Sequence, residues 1–333
     1  MEELLSKVSE LVDKSTKIPE DIKPIVKAIC RGYIRETNGM IPISGIINVC
    51  ETTFKEIDPN DKDFSGEDRI FGSTDTSYDS DGKVIHGMSY IHDSNYIKLI
   101  TILTHELGHV ITEHSIYGLQ DDKCPIVKRT GDFYLQCEFK DGVQYTRGMY
   151  GFRVTDGFLE STSTKIFLSE EFRRELLEAG YDLEDYEYKD ERLFPSRVYD
   201  EYKACFELFD YIMDGALTEF CCKEFTSNEE IINFINENKL SVLFGYIDKS
   251  NNALWSLKKF EGREWSEEFN TLLQTYLNEK SSVVNLAYAL LGVKGKSEDD
   301  RFKELLSTYK SCLSKQKELP IPENILRDSM KLE

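Results

Sequence analysis

THELGHVITEH, residues 104–114, is the stretch from which the rest of the chain is best read. His105 and His109 stand four positions apart, with Glu106 directly after the first. On an α-helix, side chains four apart point only about 40° away from one another, so two imidazole nitrogens can converge on one ion. Glu106 emerges about 100° from His105, beside that ion rather than on it. A carboxylate there is placed to take a proton from water at the metal. The surroundings favour a helix over residues 94–115, SNYIKLITILTHELGHVITEHS, which contain no proline. Leu99, Ile100, Ile102, Leu103, Leu107 and Val110 make it apolar, and Gly108 permits close packing. Two histidines and a glutamate would be costly in such a helix without partners, which argues against a chance spelling. The ion that suits this spacing is Zn2+, one per chain, held by three protein ligands with a fourth position open.

The remaining histidines do not supply the third ligand. His114 lies nine positions after His105, about 180° round the predicted helix. The metzincin extension requires a histidine six residues after the second, and that position is Ser115. His86 and His92 precede the helix in a strand-like run and read as strand-surface or satisfied core residues. A downstream carboxylate must therefore complete the set. The best stretch is RVTDGFLESTSTKIFLSEEF, residues 153–172, where Glu160 comes 51 residues after His109.

With these two stretches the chain resembles the gluzincin-type HExxH zinc metallopeptidases (zincins), including the compact ImmA/IrrE-like group with its typical H-E-L-G-H. The resemblance covers about residues 94–168. It implies a zincin-like fold and peptide-bond hydrolysis, with His105, His109 and Glu160 as metal ligands and Glu106 as the catalytic base. Glu160-Ser161-Thr162-Ser163 matches the helix-borne glutamate followed by small or hydroxyl residues. Thr164 stands where these families often have an acid or amide. A second register stays open, in which Asp156 is the ligand and Glu160, one helical turn on, supports it. The longer reach of glutamate favours Glu160. Similar enzymes use a downstream tyrosine or histidine on the oxyanion, which makes Tyr199 the candidate for that role, with Tyr202 beside it. Glu219 in MDGALTEF reads as a surface or network acid.

Composition narrows the partners. The 333 residues carry a net charge of −20, from 61 acids against 41 bases, and such a surface repels phosphate backbones. No nucleic-acid partner is expected. The longest apolar runs fall well short of the roughly 20 residues of a membrane span, so no membrane partner is expected either. The opening MEELLSKVSELVDKSTK is an amphipathic helix pattern without a secretory signal's basic and apolar regions. Eight cysteines without a CxxC pair read as reduced, largely buried thiols, and the expected location is cytoplasmic.

Helical periodicity covers residues 2–16, 20–37 and 41–57, followed by a turn-rich stretch from Asp58 to Asp81 with a short strand at RIFG. KVIHGMSYIHD alternates like a strand, and its edge is expected to receive an extended substrate. DFYLQCEFKDGVQYTRGMYGF reads as a β-hairpin around Lys140-Asp141-Gly142. Beyond residue 156 helical patterns dominate, several opened by serine and acids. The expected fold class is α+β, mostly helical, with a small mixed β-sheet and a hairpin. Residues 1–168 form the expected catalytic region, and residues 169–333 a helical region closing the cleft. The expected activity is zinc-dependent hydrolysis of a peptide or protein substrate. A regulatory protease with one protein substrate and a non-catalytic zinc-containing interaction protein are the alternatives. Oligomeric state is left open.

Overall fold

The computed structural model describes residues 1–57, 72–78, 84–91, 96–116, 126–129, 132–140, 143–150, 152–183, 198–238, 240 and 283–315. Three helices lead, α1 (Glu2–Lys14), α2 (Lys23–Glu36) and α3 (Ile43–Glu51). The strands β1 (Thr53–Ile57), β2 (Gly72–Tyr78) and β3 (Val84–Ile91) come next. The motif helix α4 (Tyr96–Ile111) is followed by β4 (Glu113–Ile116), β5 (Ile126–Arg129), β6 (Asp132–Lys140) and β7 (Val143–Tyr150). Then come α5 (Phe152–Leu168), α6 (Glu170–Glu178), α7 (Val198–Ile212), α8 (Ala216–Cys222) and α9 (Asn228–Glu237). Residues 283–293 and Asp300–Lys315 are also helical. The protein is thus mostly helical α+β with a small mixed sheet, as the pattern predicts.

That sheet has the order β1-β3-β2, with β1 parallel and β2 antiparallel to β3. Four strands, β4-β5-β6-β7, make a second, fully antiparallel sheet. The expected hairpin is its β6–β7 pair, in register from Lys140↔Val143, with Asp141 and Gly142 outside the described residues. This sheet starts two residues after α4 ends, and α5 starts two residues after it ends. It is an excursion that returns the chain to its starting point. Two helices far apart in sequence thereby become neighbours, and the site depends on that.

Several boundaries differ from the sequence reading. The run 41–57 is not one helix: it stops at Glu51, Thr52 turns extended, and the β-branched start TTF continues as β1. The stretch read as turn-rich contains β2, whose Ser-Thr-Asp-Thr-Ser-Tyr alternation outweighs the flanking turn formers. RIFG lies outside the described residues except Gly72, which opens β2. β3 is the central strand, hydrogen-bonded on both sides, so it has no free edge to offer a substrate. α4 ends at Ile111, and His114 belongs to β4 rather than to the helix. The run 196–225 breaks after Ile212, where Asp214 and Gly215 adopt positive φ of 59° and 83°.

Of the serine-opened helices, Ser227 caps α9 as expected, while Ser196 and Ser266 lie outside the described residues. Ahead of Asp300–Lys315 the cap is Asp299, whose Oδ1 accepts the Phe302 N–H, rather than Ser297. Ser169 accepts the Phe172 N–H ahead of α6, and Ser227 accepts the Glu230 N–H ahead of α9. One apolar core runs from Leu5 on α1 to Tyr309 near the C-terminal end of the described chain. α4 and α5 lie at its centre, buried nearly all round between Leu99 and Ile111 and from Val154 to Thr164. No helix among the described residues is long and apolar enough to cross a membrane. Cys30, Cys50 and Cys205 are free thiols, and Cys30, Cys205, Cys221 and Cys222 are buried.

Candidate metal centre

α4 places its polar residues where the apolar pattern leaves room. His105 is buried, His109 nearly so, and their rings meet edge to face with centroids 5.1 Å apart. α5 answers with Asp156 and Glu160, both buried and one turn apart on a shared face. The Nε2 of His109 lies 3.7 Å from Asp156 Oδ1, and the Nδ1 of His105 lies 3.8 Å from Glu160 Oε2. One ligand atom each from His105, His109 and Asp156 fall within 4.8 Å of one another. Ligands about 2.0–2.1 Å from a tetrahedral ion stand roughly 3.4 Å apart, so a small contraction would close these three on a metal. Two imidazoles and a carboxylate are a donor set that fits a divalent transition metal.

The two acids of α5 therefore face different histidines. Asp156 falls in the converging group. Glu160 faces the Nδ1 of His105, which leaves the opposite nitrogen of that ring for an ion. Sequence reasoning prefers Glu160 as the ligand for its reach; this geometry brings Asp156 closer to the ligand role and Glu160 to an orienting one.

The electrostatics of the group favour positive charge. Burial opposes a charge on His105, but the Glu160 carboxylate beside it, with the charges of Glu106 and Asp156, outweighs burial and lifts its pKa from 6.5 to about 9. Three acids surround two imidazoles. In the absence of a metal, a proton on His105 supplies the balancing charge.

Glu106 is half-buried and turns towards β2, where the Thr74 hydroxyl donates to its Oε2 at 2.5 Å. Sequence reasoning misses Thr74 because its segment reads as loop; the alternating hydroxyl and β-branched residues are the available signal. β2 is an outer strand of its sheet, so the strand beside Glu106 has one side that pairs with no strand among the described residues. The strand edge next to the site is β2 rather than β3.

The other candidates separate cleanly. His86 is a core residue on β3, its Nδ1 3.4 Å from Glu113 Oε2. His92 lies outside the described residues, as does the His114 side chain. Tyr199 lies in the first turn of α7, with its side chain outside the described residues. Tyr202 is buried, and its backbone carbonyl packs so tightly on Gly157 that any side chain there would overlap it. Glu219 is exposed on α8, in keeping with a surface acid.

No protein-family model, curated protein or solved structure matches this chain.

Proposed function

We propose that the protein is a zinc-dependent peptidase of the zincin type. The observation that carries this reading is the convergence of His105, His109 and Asp156 within 4.8 Å, next to a half-buried Glu106 beside an outer strand. His105, His109 and Asp156 would hold the ion, and Glu160 would fix the ring of His105 and raise its basicity. A bound zinc ion would supply Lewis acidity, polarising a peptide carbonyl and acidifying water.

The chain's own groups do the rest. Glu106 accepts the proton of the attacking water and returns it to the leaving amine nitrogen. Thr74 holds that carboxylate in one orientation through its hydroxyl, at the cost of occupying one of its oxygens. The outer strand β2 offers backbone groups to an extended segment of substrate, in place of the central strand β3. A purely structural metal site gains nothing from a base beside it, and this weighs against an interaction protein.

Glu106→Gln tests the proposal. It preserves shape but cannot take a proton, so zinc content and folding should match wild type. Hydrolysis in a broad peptide-library or proteome digest should fall by about 10²-fold or more. Equal cleavage by both forms would refute the assigned base. Zinc binding without cleavage by either form, against libraries and whole proteomes alike, would move the reading to a zinc-containing interaction protein.

A further inference from the structure

Tyr33, on α2, is wholly buried among the central helices. A phenylalanine would fill the same space, and a phenol in an apolar core is costly unless its hydroxyl is bonded. The Tyr33 hydroxyl donates to the backbone carbonyl of Thr104 on α4 at 3.0 Å. It also lies 3.4 Å from the Ser163 hydroxyl on α5. Thr104 immediately precedes His105, and Ser163 stands one turn beyond Glu160 and two beyond Asp156. The approach is possible because Gly108, the residue before His109, has no side chain; a methyl there would overlap the Tyr33 hydroxyl. Burial pushes the phenol's pKa up and outweighs the lowering by its Ser163 hydrogen bond, with a smaller rise from the charge of Glu160, so the group stays protonated and remains a donor.

We infer that Tyr33 is a positioning residue of the metal centre: its hydroxyl spans α4 and α5 and sets the spacing on which His105, His109, Asp156 and Glu160 converge. The inference rests on the metal reading above. It goes further by assigning to α2 a part in tuning the site, beyond completing the core. An ion held between two helices is sensitive to their separation, because each ligand tolerates only a few tenths of an ångström of displacement. A hydroxyl that bonds both helices restrains that separation without touching the ion.

The test compares Tyr33→Phe with Thr37→Val in the full chain. Thr37 is equally buried at the end of α2, and its hydroxyl donates to the Tyr33 carbonyl at 2.7 Å, a bond within α2 rather than to α4 or α5. Both variants should lower the unfolding temperature of the metal-free protein. Only Tyr33→Phe should weaken zinc binding, by about 10–100-fold in a chelator competition, and change the visible absorption of the cobalt-substituted site. Wild-type zinc affinity and an unchanged cobalt spectrum in Tyr33→Phe would overturn the inference while leaving the metal site standing. A wild-type chain that binds zinc no better than His105→Ala would overturn the metal reading and this inference together. Ser163→Ala reads the α5 half of the bridge, with a smaller loss of affinity expected. Should Tyr33→Phe fail to fold, unchanged affinity in Ser163→Ala overturns the inference by itself.

Discussion

α4 and α5 are both buried along most of their length, and they reach that state with different compositions. α4 surrounds its two histidines with Leu99, Ile100, Ile102, Leu103, Leu107 and Val110. α5 buries Thr155, Asp156, Glu160, Ser161, Thr162, Ser163 and Thr164 alongside Val154, Phe158, Leu159, Ile166 and Phe167. In α4 the two histidines stand out because, Thr101 and Thr104 apart, the side chains buried around them are apolar. Threonines of both helices bond carbonyls of their own helix, but α5 also draws on α7: Ser161 donates to Glu207, and Lys203 donates to Thr164. One helix announces its function by contrast. The other disguises it in a polar network, and the two competing registers for the third ligand come from there.

The sharpest way to break the comparison is to separate the two acids of α5. Asp156→Ala should lose zinc as fully as His109→Ala does, since both would remove a ligand. Glu160→Ala should cost only about 10–100-fold in affinity, as expected for the loss of a group that orients His105. Chelator competition on the three variants decides it. The reverse order of losses would make Glu160 the ligand and Asp156 its support.

This split shows where the sequence is legible and where it is not. The spacing of His105 and His109 carries its own geometry, because four residues on a helix always give one face. Asp156 and Glu160 obey the same rule, which is why it cannot rank them: both face α4, and only the placement of α5 against α4 decides which carboxylate would meet an ion. The alternation of β3 reveals a strand but not its central position, since sheet order is set by partners remote in the chain. β2 and β1 escape the sequence reading for a local reason. Ser, Asp and Gly around Thr74 favour turns, and the apolar spacing of α3 runs on through Thr52 without a proline or glycine to stop it. Tyr33 carries no sequence signal at all, because a tyrosine in an amphipathic helix is ordinary until its hydroxyl is seen between two other helices.

A second test uses pH to read the charge of the α4–α5 pocket. His105 in the folded, metal-free chain has a pKa near 9, above the 6.5 of an unperturbed imidazole. A raised pKa means that folding gains from the proton: the contribution is complete below pH 6.5 and is lost as pH rises through 9. Thermal unfolding of the metal-free protein should therefore show stability falling across this window. Zinc binding must release the same proton, so its apparent affinity should climb about tenfold per pH unit there. Glu160→Gln should flatten both profiles. A metal-free chain equally stable at both ends of the window would show that the acids of α5 do not govern His105.

The smallest expected effect contrasts the glycines at which the two helices are approached most closely. A methyl on Gly108 of α4 would meet the Tyr33 hydroxyl and a Leu159 methyl, both side-chain atoms. On Gly157 of α5 it would meet the backbone carbonyl of Tyr202 on α7, together with Phe206. Side chains can give way, whereas a helix backbone must move as a body. Alanine also favours a helix over glycine by about 1 kcal/mol, which offsets part of either cost. Gly157→Ala should accordingly destabilise the metal-free chain by about 1–3 kcal/mol in urea unfolding. Gly108→Ala should cost less stability. Yet the group that yields to the new methyl in Gly108→Ala is the hydroxyl bridging α4 to α5, so this substitution should weaken zinc binding out of proportion to its stability cost. Gly157→Ala should do so in proportion. If both substitutions shift stability and zinc affinity in the same ratio, the spacing of the two helices is not held at Tyr33 but spread over the whole core.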